Sequence, residues 1–150
     1  QANLRHPSSK ISPTRHSKNA KHEILNTKQI LMSQITSFKL YDLEQRCLAS
    51  AKRINIYVNK LPKTITNVEN GKQLARSGGS IGANYIEANE ALSRKDFIMR
   101  IKISKKEAKE SIFWVELTQP HKEEELEQRA LIQETTELMK IFGSILEKSK

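Results

Sequence analysis

The sequence predicts an all-α protein: an antiparallel up-down-up-down four-helix bundle behind a poorly ordered basic N-terminal leader. Three observations predict it. Apolar residues recur at three- and four-residue spacing through four long segments. Pro62, Ser93 and Pro120 stand near the segment boundaries. The alternation expected of strands is nearly absent. Four amphipathic helices with short connections bury their apolar stripes most simply against one another. The expected division is a leader over residues 1–37 and a bundle domain over 38–150.

In the leader, Pro7, Pro13 and many Ser, Asn, Lys and His residues interrupt any pattern until Ile24. Glu23 to Ile35 has the length of a short, marginal helix. The chain begins with Gln, and organised sequence follows Met32, which makes Met32 an attractive start; residues 1–31 would then be upstream or vector-derived sequence. The first secure helix is expected from Leu40 to Leu61, with Leu43, Cys47, Ala51, Ile54 and Val58 on one stripe. Pro62 ends it, because the residue before a proline disfavours helical geometry.

A second helix is expected from Asn67, a capping residue, to Ala91. Leu74, Ile81, Tyr85, Ala88 and Leu92 mark its apolar side. Gly78, Gly79 and Gly82 each cost about 1 kcal/mol against Ala inside a helix. A helix that gives up propensity in this way needs close backbone approach to a neighbour. Ser93 and Asp96 have the capping-box pattern at the start of a third helix, which ends at Leu117 or Thr118. Phe97, Ile101, Ala108, Ile112 and Val115 share its stripe, with the small Ser104 and Ser111. The last helix is expected over 122–147. Glu123, Glu124 and Glu125 suit its positive N-terminal dipole, and Leu131, Leu138, Met139, Ile141, Phe142 and Ile145 face inward.

The formal net charge of +9 is uneven. Residues 1–39 carry seven Lys or Arg against one Glu, a net +6, and the remainder carries only +3. A basic tail suits contact with nucleic acid or anionic surfaces, or is simply an unselected leader. Cys47 is the single cysteine, so no internal disulfide framework forms, and its helical position reads as a small buried hydrophobe. No stretch has the length and apolarity of a membrane span or a secretory signal, which makes a cytoplasmic protein the expectation.

The densest charge lies on the third helix. From Ser93 to Lys109, Arg94, Lys95, Arg100, Lys102, Lys105, Lys106 and Lys109 stand against Asp96 and Glu107 alone, a local excess of +5. Lys95, Lys102, Lys106 and Lys109 form one long row. Arg94 and Lys105 point together along another direction. Such rows meet successive phosphates, through RNA or DNA backbone contact rather than sequence reading; a solvated face with ion pairs has the same pattern. No base-stacking platform is obvious. Arg76, Asn84 and Glu87 are expected to form a structural network, and Trp114 a packing or interface anchor. Gly78 and Gly82 mark the close-contact side. Glu-x-x-His is absent, His121 sits in a turn beside Pro120, and His6, His16 and His22 are widely spaced, so no metal or cofactor site and no catalytic set is expected. Ser77-Gly78-Gly79-Ser80 lacks the Lys and spacing of a phosphate loop.

Over residues 38–147 the chain resembles the bacterial four-helix-bundle proteins encoded in intervening sequences of large-subunit (23S) ribosomal RNA genes. That broad family includes the accessory variability determinants of diversity-generating retroelements. The resemblance rests on Phe38, Leu40 and Tyr41, on Arg76, Ser80, Ile81, Asn84, Glu87 and Ala88, and on Ser93, Asp96 and Phe97. The stretch Ala108 to Leu117, with Glu110 and Glu116, adds to it. Glu87-Ala88-Asn89 departs from the usual Ala-Glu-Gly of the family, as does the Gly78-Gly79 pair. The resemblance implies a non-enzymatic homo-oligomer, often a pentamer around a central axis. In the retroelement branch it implies a partner of nucleic acid and of a reverse transcriptase. The alternative is a protein-only interaction or structural module.

Overall fold

The computed structural model describes the backbone of residues 15–150 and the side chains of 26–34 and 42–150. The chain divides into two units, Gln1–Leu40 and Tyr41–Lys150. Helix α1 is Arg15–Lys60, α2 Ile65–Asn89, α3 Arg94–Leu117 and α4 Glu125–Lys148, the last entered through the 3-10 turn Lys122–Glu124. No strand occurs among the described residues.

Helix α1 begins well before the expected Leu40. Between Pro13 and Pro62 the sequence holds neither proline nor glycine, so the backbone meets no breaker even where the apolar period is lost. The expectations placed on residues 1–14, His6 among them, lie outside the described residues, as do the side chains of His16, His22, Phe38, Leu40 and Tyr41. In the first unit, the described side chains of 26–34 are all exposed, Ile30, Leu31 and Met32 included.

The second unit is the bundle. Helix α2 starts two residues before Asn67: Thr64 is its N-cap and accepts a hydrogen bond from the Asn67 backbone N–H. Asn67 does a different job. Its buried side chain donates to the carbonyls of Pro62 and Gln119 and accepts from the Gln119 N–H, tying the two interhelical connections together. Ser93 caps α3 as expected, accepting from the Asp96 N–H.

Neighbouring helices pair in antiparallel order. A Cβ on Gly71, Gly78 or Gly82 would meet Val58, Ile54 or Cys47 respectively, so α2 advances as α1 recedes. Ser104 donates to the Ile81 carbonyl between α3 and α2. Gln128 of α4 donates to the carbonyls of Val115 and Thr118 at the end of α3. Arg46 with Glu134, Arg53 with Glu127 and Lys60 with Glu124 close the ring from α1 to α4. Gly79 departs from the expectation of close approach: it is exposed, and no atom lies within 4 Å of its Cβ position.

Two apolar clusters fill the interior. Cys47, Ile81, Tyr85, Ala88, Ile101, Ala108, Leu138 and Phe142 form one, with Tyr85 tilted against Phe142 at 5.6 Å. Ile54, Tyr57, Leu61, Leu74, Val115 and Leu131 form the other. Along the chain, buried Ser50, Ser77, Ser111 and Thr135 fall between the two sets, one on each helix. The Ser77 and Ser111 hydroxyls lie 2.8 Å apart, and each also reaches a carbonyl of its own helix. Buried hydroxyls are tolerated where such partners exist. Leu92, expected on the apolar side of α2, is instead fully exposed, because α2 ends at Asn89 and Leu92 lies in the turn beyond it.

Candidate nucleic-acid interface on helix α3

Seven cations make the sequence of α3 basic, and the fold gives them different surroundings. Arg100 turns toward α2, where it pairs with Glu87, donates to Asn84 Oδ1 at 3.3 Å and lies 3.9 Å from Asp96. Arg94 donates to the carbonyl oxygens of Ser149 and Lys150. Lys105 leans along α4: its Nζ lies 3.6 Å from the Cβ position of Gly143, and its charge helps hold the Glu147 carboxyl below its usual range, after the dominant hydrogen bond from Lys150. The sequence pattern aligned Arg94 with Lys105; in the fold they serve different neighbours.

Lys95, Lys102, Lys106 and Lys109 remain. All four are exposed, and none has an acidic partner within ion-pair distance among the described residues. At a 1.5 Å rise per residue they span about 21 Å of one helix face. The two acids between Ser93 and Lys109 are turned away from them. Asp96 faces Arg100, and Glu107 is buried, only 8% exposed, with its Oε2 lacking a hydrogen-bond partner. No acidic residue lies in the row itself between Lys95 and Lys109. Elsewhere the bundle uses its arginines differently: Arg46, Arg53, Arg76 and Arg100 all bridge helices to carboxylates.

The other predicted residues are structural in placement. Arg76 does not join Asn84 and Glu87. It pairs with Glu110, whose Oε1 also accepts from Trp114 Nε1 at 3.2 Å. Asn84 donates to the Ser80 carbonyl and accepts from Arg100. Two polar clasps thus fasten α2 to α3, one near each apolar cluster. Trp114 is half-buried against the second cluster. Cys47 is buried, and burial above all, aided by the charge of Glu134, pushes its thiol up to about 12. His121 and Glu116 are exposed, and no group of three or more His, Cys, Asp or Glu that could hold a metal occurs among the described residues. No described helix is long and apolar enough to cross a membrane.

One feature of this face escaped the sequence. Phe113 sits four residues beyond Lys109, is 53% exposed, and rests edge-on against Trp114 at 5.0 Å and 72°. Met99 and Leu117 are exposed on the same helix. An apolar residue beside Ile112, Trp114 and Val115 reads as core; only the helical phase against the buried Ala108, Ser111 and Val115 places Phe113 outside.

Fold and surface together define a closed antiparallel four-helix bundle with an unpaired lysine row on its third helix. The model of the 23S rRNA-intervening sequence protein family matches residues 39–144, and the chain belongs to that family. It is similar to a protein of unknown function from the S23 ribosomal protein family of Bacteroides thetaiotaomicron, solved by crystallography. The two share 35% identity over 73% of this chain and 98% of the other, at a TM-score of 0.58. No curated protein matches the chain.

Proposed function

We propose that the bundle is a non-enzymatic, self-associating scaffold that presents the α3 lysine row to the phosphates of RNA or DNA. The observation that carries this reading is the contrast in charge use: the interhelical arginines are satisfied by carboxylates, whereas Lys95, Lys102, Lys106 and Lys109 face solvent unpaired. A row of unpaired cations on a rigid helix gains by exchanging condensed counterions for phosphates. Oligomerisation, a five-membered ring by the family resemblance, would repeat the row and raise avidity. A reverse transcriptase partner fits the retroelement branch of that resemblance.

The test is a Lys102→Gln/Lys106→Gln/Lys109→Gln variant of the full chain, titrated against RNA and DNA at several salt concentrations. Helical content and mass by light scattering should match the parent. Loss of three phosphate contacts lowers the slope of log K against log salt by about 2 to 3. The basic leader is common to both proteins and leaves that difference intact. Equal affinity and slope in the two proteins would remove α3 from the site. A second reading, docking of protein alone, is favoured by exposed Met99, Phe113 and Leu117; it predicts no nucleic-acid binding by either form.

A further inference from the structure

Phosphate attraction explains the lysines but leaves Phe113 without a role. Phenylalanine gains nothing from half-exposure to water, and a duplex offers phosphates without an open base face. Lys102, Lys106, Lys109 and Phe113 follow at spacings of four, three and four, so they lie on one face of α3. Phe113 comes about 6 Å after Lys109 along the axis, roughly one nucleotide step.

The ring is also held. Trp114 packs against the second apolar cluster, and its indole N–H donates to Glu110, which Arg76 pairs with from α2. Phe113 leans on that ring. An aromatic platform that is already ordered loses little freedom when a base settles on it.

We propose that Phe113 is a stacking platform for an unpaired base, so that the row Lys102–Lys106–Lys109–Phe113 takes single-stranded rather than duplex nucleic acid. This inference rests on the lysine-row reading above and adds a partner class to it. The charges track the backbone while the ring engages a base face, a combination that is tolerant of sequence.

Trp114 is the only tryptophan in the chain, and it touches Phe113, so its fluorescence reports on the platform. The full-length protein is titrated with a single-stranded 12-mer of uridines, an abasic 12-mer of equal charge, and a 12-base-pair RNA duplex. Phe113→Leu keeps the apolar bulk and removes the aromatic face; Phe113→Tyr restores the face. The expected results are quenching of Trp114 by the uridine strand, tighter binding of that strand than of the other two probes, and a roughly 5- to 100-fold loss with Phe113→Leu. Abasic binding should not change with Phe113→Leu, and Phe113→Tyr should bind like the parent. If the abasic probe binds through the lysines and Phe113→Leu leaves uridine binding intact, the stacking inference falls and the lysine row stands. If no probe binds, both fall. A change of oligomeric mass in Phe113→Leu with unchanged uridine affinity would assign Phe113 to a contact between copies and overturn the proposal.

Discussion

Adjacent glycines on α2 should respond to alanine in opposite directions. Gly78 faces α1, and a Cβ there would lie 2.6 Å from Ile54 Cδ1 and 3.4 Å from its Cγ2. Ile54 is fully buried, so its methyl must shift within the core to admit the new Cβ. Overpacking of this kind costs about 1–3 kcal/mol, against about 1 kcal/mol gained from better helix propensity. Gly78→Ala should therefore destabilise by about 0–2 kcal/mol. Gly79 has open space at its Cβ position, and Gly79→Ala should stabilise by about 0.5–1 kcal/mol. The difference between the two, about 1–3 kcal/mol, isolates the helix-packing contribution because the propensity term cancels. Urea unfolding followed by helical circular dichroism at fixed protein concentration measures it, with mass checked for each variant. Ile54→Val removes the obstructing methyl, so the Gly78→Ala penalty should shrink in that background. Equal stabilisation by both alanines would refute the close α1–α2 approach. So would a Gly78→Ala penalty unchanged by Ile54→Val, since it would have to come from somewhere other than Ile54.

Two further outcomes follow from buried and paired groups. Two hydrogen bonds from Arg46 hold the Glu134 carboxyl below the usual range, outweighing the opposing effect of burial. A depressed folded pKa gives stability that is present above the unfolded value of about 4.3 and is lost as pH falls through the folded one. Arg46→Gln should cost up to about 1 kcal/mol near neutrality, the partial exposure of the pair limiting it, and should cost progressively less as the pH falls below about 4.3; an equal cost at pH 2 and pH 7 would contradict this. The Cys47 thiol, raised to about 12 by burial, should stay protonated at pH 8 and react with an aromatic disulfide reagent only as the bundle opens. Immediate stoichiometric labelling of the native protein would place Cys47 outside the core.

The order of the bundle helices was legible in the sequence because the signals are local. Pro62 and Pro120 stop helices wherever they stand, and Ser93 caps α3 through an atom three residues away. The period of Cys47 and Ile54, or of Ile101, Ala108 and Val115, identifies an inward face without reference to what covers it. Local rules also set the limits: Asn67 was legible as a capping type, but its carbonyl partners at Pro62 and Gln119 are brought together only by the fold. The hydroxyls of Ser77 and Ser111 are polar by type and become core only when two helices bring them within 2.8 Å. Charge shows the same division. Sequence counts seven cations on α3, but whether each is engaged by another group depends on residues up to 56 positions away, as with Arg94 and Lys150. Packing α2 against α3 consumes Arg100 and turns Glu107 inward, while Lys95, Lys102, Lys106 and Lys109 stay on the outer face with the exposed Met99, Phe113 and Leu117. By itself, then, the sequence determined the helices and their inward stripes, which depend on neighbours along the chain; the tertiary structure alone decided which charges and which aromatic ring remain available to a partner, because exposure and ion pairing depend on neighbours in space.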